Sequence, residues 1–132
     1  MAPDKITRKK DELRRALVSL ESALQINLSG KNEIEVDVLK NGQIQKFEYT
    51  LELCWKTLQE IYKEKGALLN YPKDVFRERF QEISLTEEQK IRALVMIDDR
   101  NVIAHEYKDY IINIIWPRLF DYLELLKSIA IV

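Results

Sequence analysis

The strongest constraint on the fold is a long apolar stripe in the middle of the chain. It repeats at steps of three and four residues and consists of Ile44, Phe47, Leu51, Cys54, Leu58 and Ile61. This period places the side chains on one face of an α-helix, because strands repeat every two residues. Trp55 and Tyr62 widen the face. The spacing predicts a core-facing helix that starts near Asn41 or Gly42 and ends near Gly66, which suits the left-handed conformation after a helix.

A second stripe, rich in leucine, precedes it and predicts a first helix over about residues 5–28. Its members are Leu13, Leu17, Leu20, Leu24 and Leu28, with Ala16 and Ala23 beside them. Ser29 and Gly30 supply a stop signal. The stretch that follows is polar and predicts a loop through Glu35. A weak strand-like alternation within it involves Ile34, Val36 and Val38.

Two helices are predicted between the middle of the chain and its carboxy-terminal segment. Pro72 suits the first turn of a short helix that extends to about residue 83, because the missing N–H is not needed there. The following helix can be capped by Ser84 or by Thr86, since each has a Glu or Gln three residues later. It is expected to reach at least Asn101.

The composition completes the prediction of the fold. A last apolar segment spans about residues 109–129, and Pro117 is expected to kink or divide it. Turn-forming residues are scarce, because the 132 residues include three Gly and three Pro. Hydrophobic residues make up 46% and charged residues 33%, a balance that suits amphipathic helices. We predict an all-α fold, an up-and-down four-helix bundle with an extra short helix, in a single domain over residues 1–132.

Charge and residue types exclude several classes of function. The 21 Lys and Arg nearly balance the 22 Asp and Glu, so no overall field attracts nucleic acid or anionic membranes. No segment resembles a signal peptide or a membrane span, so a cytoplasmic protein with no membrane partner is expected. The three glycines are too dispersed for a phosphate-binding loop, and the single histidine has no second ligand at metal-binding spacing. We predict no metal and no cofactor.

The most informative stretch is the predicted fourth helix, where polar residues interrupt an apolar face. That face is defined by Ile91, Leu94, Val95 and Val102. On an ideal helix Asp98 and His105 lie within about 20° of each other on this face, and Asn101 lies within about 60° of Asp98. Buried polar groups need partners, so these residues bond one another, bond a neighbouring helix, or line a cleft. A histidine satisfied inside the core is the plain structural alternative.

The aromatic residues of the central helix can be interpreted either as a surface that stacks on nucleobases or as part of the core. They are Phe47, Tyr49, Trp55 and Tyr62. Aromatic faces can stack on nucleobases, but Phe47 and Trp55 fall on or beside the apolar stripe, so core packing is favoured for them. Tyr49 lies off the stripe and could serve an interface.

Three ordered blocks of the sequence resemble a known family. They read IQKFEYTLELCWKTLQEIYKEKG, YPKDVFRERF and DDRNVIAHEY. Together they are similar to the nucleotidyltransferase substrate-binding proteins, which belong with the helical HEPN domains and the HepT toxins. The resemblance implies a homodimer that associates with a separately encoded minimal nucleotidyltransferase and is itself non-catalytic. We predict that Asp98, Asn101, His105 and Tyr107 contribute to a substrate site.

The HepT branch implies a second function. Its motif of Arg, four residues, His, any residue and Tyr is similar to Arg100, His105 and Tyr107 here, and it implies a ribonuclease toxin that acts on RNA. In that branch the partner nucleotidyltransferase transfers AMP to the tyrosine, which would be Tyr107, and silences the nuclease. Arg100 and His105 differ by about 140° on an ideal helix, so a broken helix end or a second protomer is needed to bring them together. An ion pair of Arg100 with Asp98, Asp99 or Glu106 is the plain alternative.

Overall fold

Helices make up most of the chain in the computed structural model, which describes residues 4–105 and 108–130. They are α1 (Lys5–Leu24), α2 (Glu33–Glu64), α3 (Pro72–Phe80), α4 (Glu87–Ala104), a single turn α5 (Lys108–Tyr110) and α6 (Leu119–Ile129). These residues contain no strand, which confirms the predicted all-α bundle. Within the same ranges, no helix combines the length and the apolar character needed to cross a bilayer.

The core forms along the apolar stripe of α2. All six residues of that stripe are buried, as are four of the five leucines in the stripe predicted for α1. Phe47 is fully enclosed and stacks on the ring of Tyr122, with 5.5 Å between the ring centroids. The two predicted stripes therefore face each other and the final helix, as amphipathic helices of a bundle do.

The boundary between α1 and α2 differs from the prediction. Helix α1 ends at Leu24, four residues before the predicted end. Helix α2 begins at Glu33, so the predictions of a loop through Glu35 and of a helix start near residue 41 are wrong. A capping box explains the early start: the backbone N–H of Glu35 donates to Asn32 Oδ1 at 2.8 Å, and the N–H of Asn32 donates to Glu35 Oε1 at 3.1 Å. Residues 33–42 include no buried side chain, so no apolar stripe reveals this helical extension.

The other helix ends agree more closely with the sequence. Pro72 occupies the first turn of α3, which ends at Phe80 and not near residue 83. Thr86 is the cap of α4, because its Oγ1 accepts the backbone N–H of Gln89 at 3.1 Å, so the alternative cap Ser84 is wrong. Helix α4 continues past Asn101 to Ala104, as expected.

The last segment is divided at Pro117, which confirms that prediction. Between α5 and α6 the backbone forms a π-helical turn (Ile111–Ile115) and a 3₁₀ turn (Trp116–Arg118). A buried amide holds this break against the rest of the bundle: Gln43 Oε1 accepts Trp116 Nε1–H at 2.7 Å, and Gln43 Nε2–H donates to the carbonyl of Ala23 at 2.7 Å. One side chain of α2 therefore fixes both the end of α1 and the irregular turns.

Candidate functional site

Helix α4 turns a different face to the core from the one predicted. Its buried residues are Ala93, Met96, Ile97, Asp99 and Ile103. On an ideal helix the centre of this face lies about 150° around the axis from the centre of the predicted one. Asp98, Asn101 and His105 are exposed, so the prediction that these three polar side chains point inward is wrong. The same rotation brings Arg100 to the side of α4 that faces α2.

Asp99 is the polar residue that α4 buries, and the sequence had suggested it only as a partner for Arg100. It is 3% exposed, and its carboxylate accepts hydrogen bonds from Arg118 Nη1 at 3.1 and 2.9 Å and from the hydroxyl of Tyr122. Burial and the adjacent carboxylate raise the pKa of Tyr122, and the hydrogen bond to Asp99 raises the pKa of Arg118. This network ties α4 to the start of α6 at the position next to Arg100.

A surface cleft of about 190 Å³ separates α2 from α4 beside the start of α3. It is lined by Leu51, Glu52, Trp55, Pro72, Ile97, Arg100 and Asn101. An indole ring and a proline supply flat apolar walls, and a carboxylate, a guanidinium and an amide supply polar groups. Apolar walls with a few convergent polar groups are typical of small-molecule sites.

Arg100 has spare hydrogen-bonding capacity at this cleft. Its Nη2 lies 3.6 Å from Glu52 Oε2, which makes a long ion pair, and its buried Nε has no hydrogen-bond partner in the part of the chain that the structure describes. Glu52 is shared with stronger partners, because it accepts Trp55 Nε1–H at 3.1 Å and pairs with Lys56 at 3.0 Å. Burial would raise the pKa of Glu52, but the hydrogen bonds from Lys56 and Trp55 outweigh it and lower the pKa.

The ion pairs predicted for Arg100 are replaced by others. Asp98 pairs with Lys73 of α3 at 2.7 Å, and Asp99 pairs with Arg118. Glu106, the third predicted partner, lies outside the described residues. Sequence reasoning missed Glu52 as the carboxylate beside Arg100, because no local spacing links position 52 to position 100.

The remaining predicted site residues lie beyond the end of α4. His105 is the C-cap of α4, and its side chain is exposed. The interpretation of His105 as a satisfied core histidine is therefore wrong. Tyr107 lies outside the described residues. Within the described ranges, no group of three or more His, Cys, Asp or Glu side chains is placed to hold a metal ion.

Comparison with known proteins identifies the family. A family model described as "Nucleotidyltransferase substrate binding protein like" matches residues 8–130. The chain belongs to the nucleotidyltransferase substrate-binding family. Its family description links it to a nucleotidyltransferase, as the three sequence blocks had indicated. The relation of this substrate-binding protein to HEPN domains and HepT toxins stays a prediction.

One solved structure shows the extent of the similarity. A crystal structure of a protein from Thermus thermophilus is 30% identical to this nucleotidyltransferase substrate-binding protein, with a TM-score of 0.72. The alignment covers 89% of the present chain and 94% of the other. No curated protein matches the sequence. The shared fold therefore extends over nearly the whole of both chains.

Proposed function

We propose that this chain is the non-catalytic substrate-binding subunit of a two-protein nucleotidyltransferase. It forms a homodimer in the cytoplasm and docks a separately encoded minimal nucleotidyltransferase, which supplies the nucleotide and the catalytic groups. The chain contributes part of the pocket for the acceptor that receives the nucleotide. The family match supports the pairing, and the cleft between α2 and α4 supports the role in binding the acceptor.

The observation that carries this proposal is the state of Arg100 in the cleft. A guanidinium has five N–H donors in a planar fork, and here its Nε is buried with no partner among the described residues. An unmade hydrogen bond at a buried donor costs about 1–3 kcal/mol. A ligand or partner group that accepts from Arg100 removes this cost, so a bound state is favoured.

The other predicted site residues differ in how directly they contact the cleft. Asn101 lines the cleft and offers one amide donor group and one acceptor to the same ligand. Asp98 lies beside it on the outer face of α4, held by Lys73. We assign His105, which is exposed at the end of α4, and Tyr107, which lies outside the described residues, to the same substrate site.

The test is a transfer assay on the reconstituted pair. The chain is co-expressed with the proposed minimal nucleotidyltransferase, and label from α-labelled ATP is followed into the small-molecule extract of the host cells. We expect efficient labelling only when both proteins are present. Arg100→Ala should lower the labelling about 10-fold or more without loss of the complex, because the substitution removes a charged hydrogen bond worth about 1.5–3 kcal/mol.

Arg92 of the same helix provides a matched control. Its Nε is also buried without a partner among the described residues, and its guanidinium pairs with Asp121 at 2.5 Å, away from the cleft. Arg92→Ala should leave the labelling within about two-fold of the wild type, since surface ion pairs contribute about 0–1 kcal/mol. Equal losses in the two variants, or full labelling by the nucleotidyltransferase alone, would contradict the proposal.

A ribonuclease toxin is the second candidate, and the position of His105 favours it. The helix that carries Arg100 ends at Ala104, so His105 stands exposed at a broken helix end. A free imidazole can act as a base toward a ribose 2′-hydroxyl, while a guanidinium stabilises charge that develops on the phosphate. In this candidate the partner silences the nuclease by transferring AMP to Tyr107.

Expression of the chain without its partner separates the two candidates. A toxin should arrest growth and degrade cellular RNA, and His105→Ala should abolish both effects. The substrate-binding subunit should be harmless in both forms. Intact-mass measurement of the chain after co-expression with the nucleotidyltransferase should show one added AMP under the toxin hypothesis, and Tyr107→Phe should prevent that addition.

A further inference from the structure

One face of α2 is exposed to solvent although much of it is apolar. On an ideal helix Ile34, Val38, Gly42, Gln45 and Tyr49 lie within about 80° of one another. The exposed fractions of the three large apolar side chains are 77% for Ile34, 63% for Val38 and 57% for Tyr49. The face extends for about 22 Å along the helix. Exposed apolar side chains that form a contiguous patch mark interaction surfaces.

Two shallow hollows lie along this face, one on each side of Gly42. The first, of about 340 Å³, is lined by Lys31, Ile34, Glu35, Val38 and Leu39. The second, of about 360 Å³, is lined by Gly42, Gln45, Lys46 and Tyr49. The second contains residues at positions i, i+3, i+4 and i+7 of α2, which is the set of four that accepts one side chain of a facing helix in knobs-into-holes packing. The first continues this face to the start of α2, where Lys31, just ahead of the helix, closes its end.

Gly42 indicates that another backbone approaches this face closely. It lies inside α2, where glycine is about 1 kcal/mol less favourable than alanine. A Cβ atom at this position would meet nothing within 4 Å, so packing among the described residues does not require glycine. The absence of a side chain does suit a helix that crosses α2 at this point.

We propose that a second copy of the chain packs on this face, with its own α2 antiparallel and the two-fold axis close to Gly42. In a single register, a side chain of the second copy lies opposite each hollow. Val38 precedes Gly42 by four residues, and the centre of the second hollow follows it by about three and a half. Tyr49 follows Gly42 by seven residues, and the centre of the first hollow precedes it by about six and a half. Each copy therefore inserts Val38 and Tyr49 into the other.

The charges along α2 are complementary in the same register. Lys31 stands just ahead of α2, eleven residues before Gly42, and Glu52 follows Gly42 by ten, so Lys31 of one copy comes near Glu52 of the other. Glu35 and Lys46 lie within about 20° of each other around the helix axis, so they are on the same side of the paired helices, offset by three residues or about 4.5 Å, which long side chains can span. Antiparallel pairing of an isologous face therefore brings together opposite charges.

This arrangement gives the cleft a residue from the second subunit. Glu52 forms one wall of the cleft, so Lys31 of the other copy borders its mouth. The inference rests on the proposed function for the identity of the site, and it names the surface and the register of the dimer. A cation at the mouth favours an acceptor or a nucleotide that carries negative charge.

The first test compares two valines of equal exposure. Val38→Asp places a charge in the α2 face, and Val18→Asp places the same charge on α1, where Val18 is 62% exposed. Light scattering and sedimentation over a concentration series should give twice the chain mass of 15.7 kDa for the wild type and for Val18→Asp. Val38→Asp should weaken the dimer about 30-fold or more, because the symmetric interface buries the charge twice. Equal behaviour of the two variants, or a wild-type monomer, would overturn the proposal.

The second test fixes the register by disulfide formation. A cysteine at the two-fold axis meets its own copy, so Gly42→Cys should cross-link readily under mild oxidation. Tyr49→Cys should not, because the two copies of position 49 are separated by about 20 Å along the paired helices. The native Cys54 is buried, and burial raises its thiol pKa to about 12, so it stays unreactive. The reverse pattern would overturn the antiparallel register.

Failure of this inference is distinguishable from failure of the proposed function. If the wild-type chain is monomeric but still binds the nucleotidyltransferase and supports transfer, the proposed subunit role stands and the dimer surface is wrong. If Val38→Asp abolishes capture of the nucleotidyltransferase by a monomeric chain, the catalytic partner covers this face and the second copy does not. If the dimer forms through α2 but no partner binds, the subunit role fails and this inference stands.

Discussion

Replacement of Asp99 by alanine should lower the free energy of unfolding by about 3–4 kcal/mol, because it breaks a buried ion pair and leaves its partners unpaired. Arg118 and the Tyr122 hydroxyl both donate to the Asp99 carboxylate. Arg118 is about 40% exposed and can recover some solvation, so the expected loss lies at the lower end for buried pairs. Urea unfolding followed by circular dichroism measures the change.

The neighbouring aspartate is the control for this prediction. Asp98 has the same charge and is the adjacent residue of α4, but it is exposed and pairs with Lys73 at the surface. Asp98→Ala should cost about 0–1 kcal/mol, as exposed ion pairs do. Similar losses for the two variants would mean that the buried network is not a principal link between α4 and α6. The Asp99 variant should also reduce the function of Arg100, since Asp99 fixes the adjacent turn of α4.

Raising the pH above about 9 should destabilise the protein steeply, because three buried groups hold their protons more tightly in the folded state than in the unfolded chain. Burial raises the pKa of Tyr62 and Tyr122, with further contributions from Glu82 and Asp99, and burial raises the pKa of Cys54 to about 12. Unfolded tyrosine ionises near pH 10 and unfolded cysteine near pH 8.5, at about the reference values. Stability from these groups is complete below those values and is lost above them.

The expected slope follows from linkage between ionisation and folding. Each group that is protonated in the folded state and ionised in the unfolded state lowers the free energy of unfolding by about 1.4 kcal/mol per pH unit. Urea midpoints between about pH 8 and 11.5 should therefore fall faster for the wild type than for Tyr62→Phe or Tyr122→Phe. Tyr71→Phe, at an exposed position, should follow the wild type. Identical curves for all four proteins would refute the assignment.

Much of the fold could be predicted because the central helix has a single apolar face. In α2 the residues from Ile44 to Ile61 recur at helical spacing, and polar residues occupy most of the opposite side, so one orientation satisfies the hydrophobic effect. Pro72 predicted the start of α3, and the start of α4 was predicted to within two residues as Ser84 or Thr86, because the fixed φ of proline and a side-chain cap act locally. Such short-range signals survive without knowledge of tertiary contacts.

The face of α4 could not be predicted, because this helix is apolar on both sides. Leu94, Val95 and Val102 are half-buried on the predicted side, while Met96, Ile97 and Ile103 are buried on the other. The orientation depends on Asp99, which is buried only because Arg118 and Tyr122 satisfy it from 19 and 23 residues away. No spacing within α4 reveals such partners. The candidate cleft was missed for the same reason, since it joins residues of α2 to residues nearly fifty positions later.

The start of α2 was missed for a different reason. Residues 33–42 bury nothing, so hydrophobic periodicity gives no signal there. Asn32 and Glu35 do form a recognisable capping pair in the sequence, but the β-branched residues between and after them favour an extended interpretation. A search for capping boxes ahead of every apolar stripe would have found the correct boundary.

The placement of the two tryptophans gives the protein a built-in optical reporter. Trp55 forms part of the cleft wall. Trp116 lies in the turn before α6, where its ring contacts Lys40 and Phe120 and its Nε1–H donates to the side-chain amide of Gln43. With Trp116 replaced by phenylalanine, all remaining indole emission would originate at the cleft. Unlabelled compounds could then be screened by quenching or spectral shift, which would turn the search for the acceptor into a simple titration.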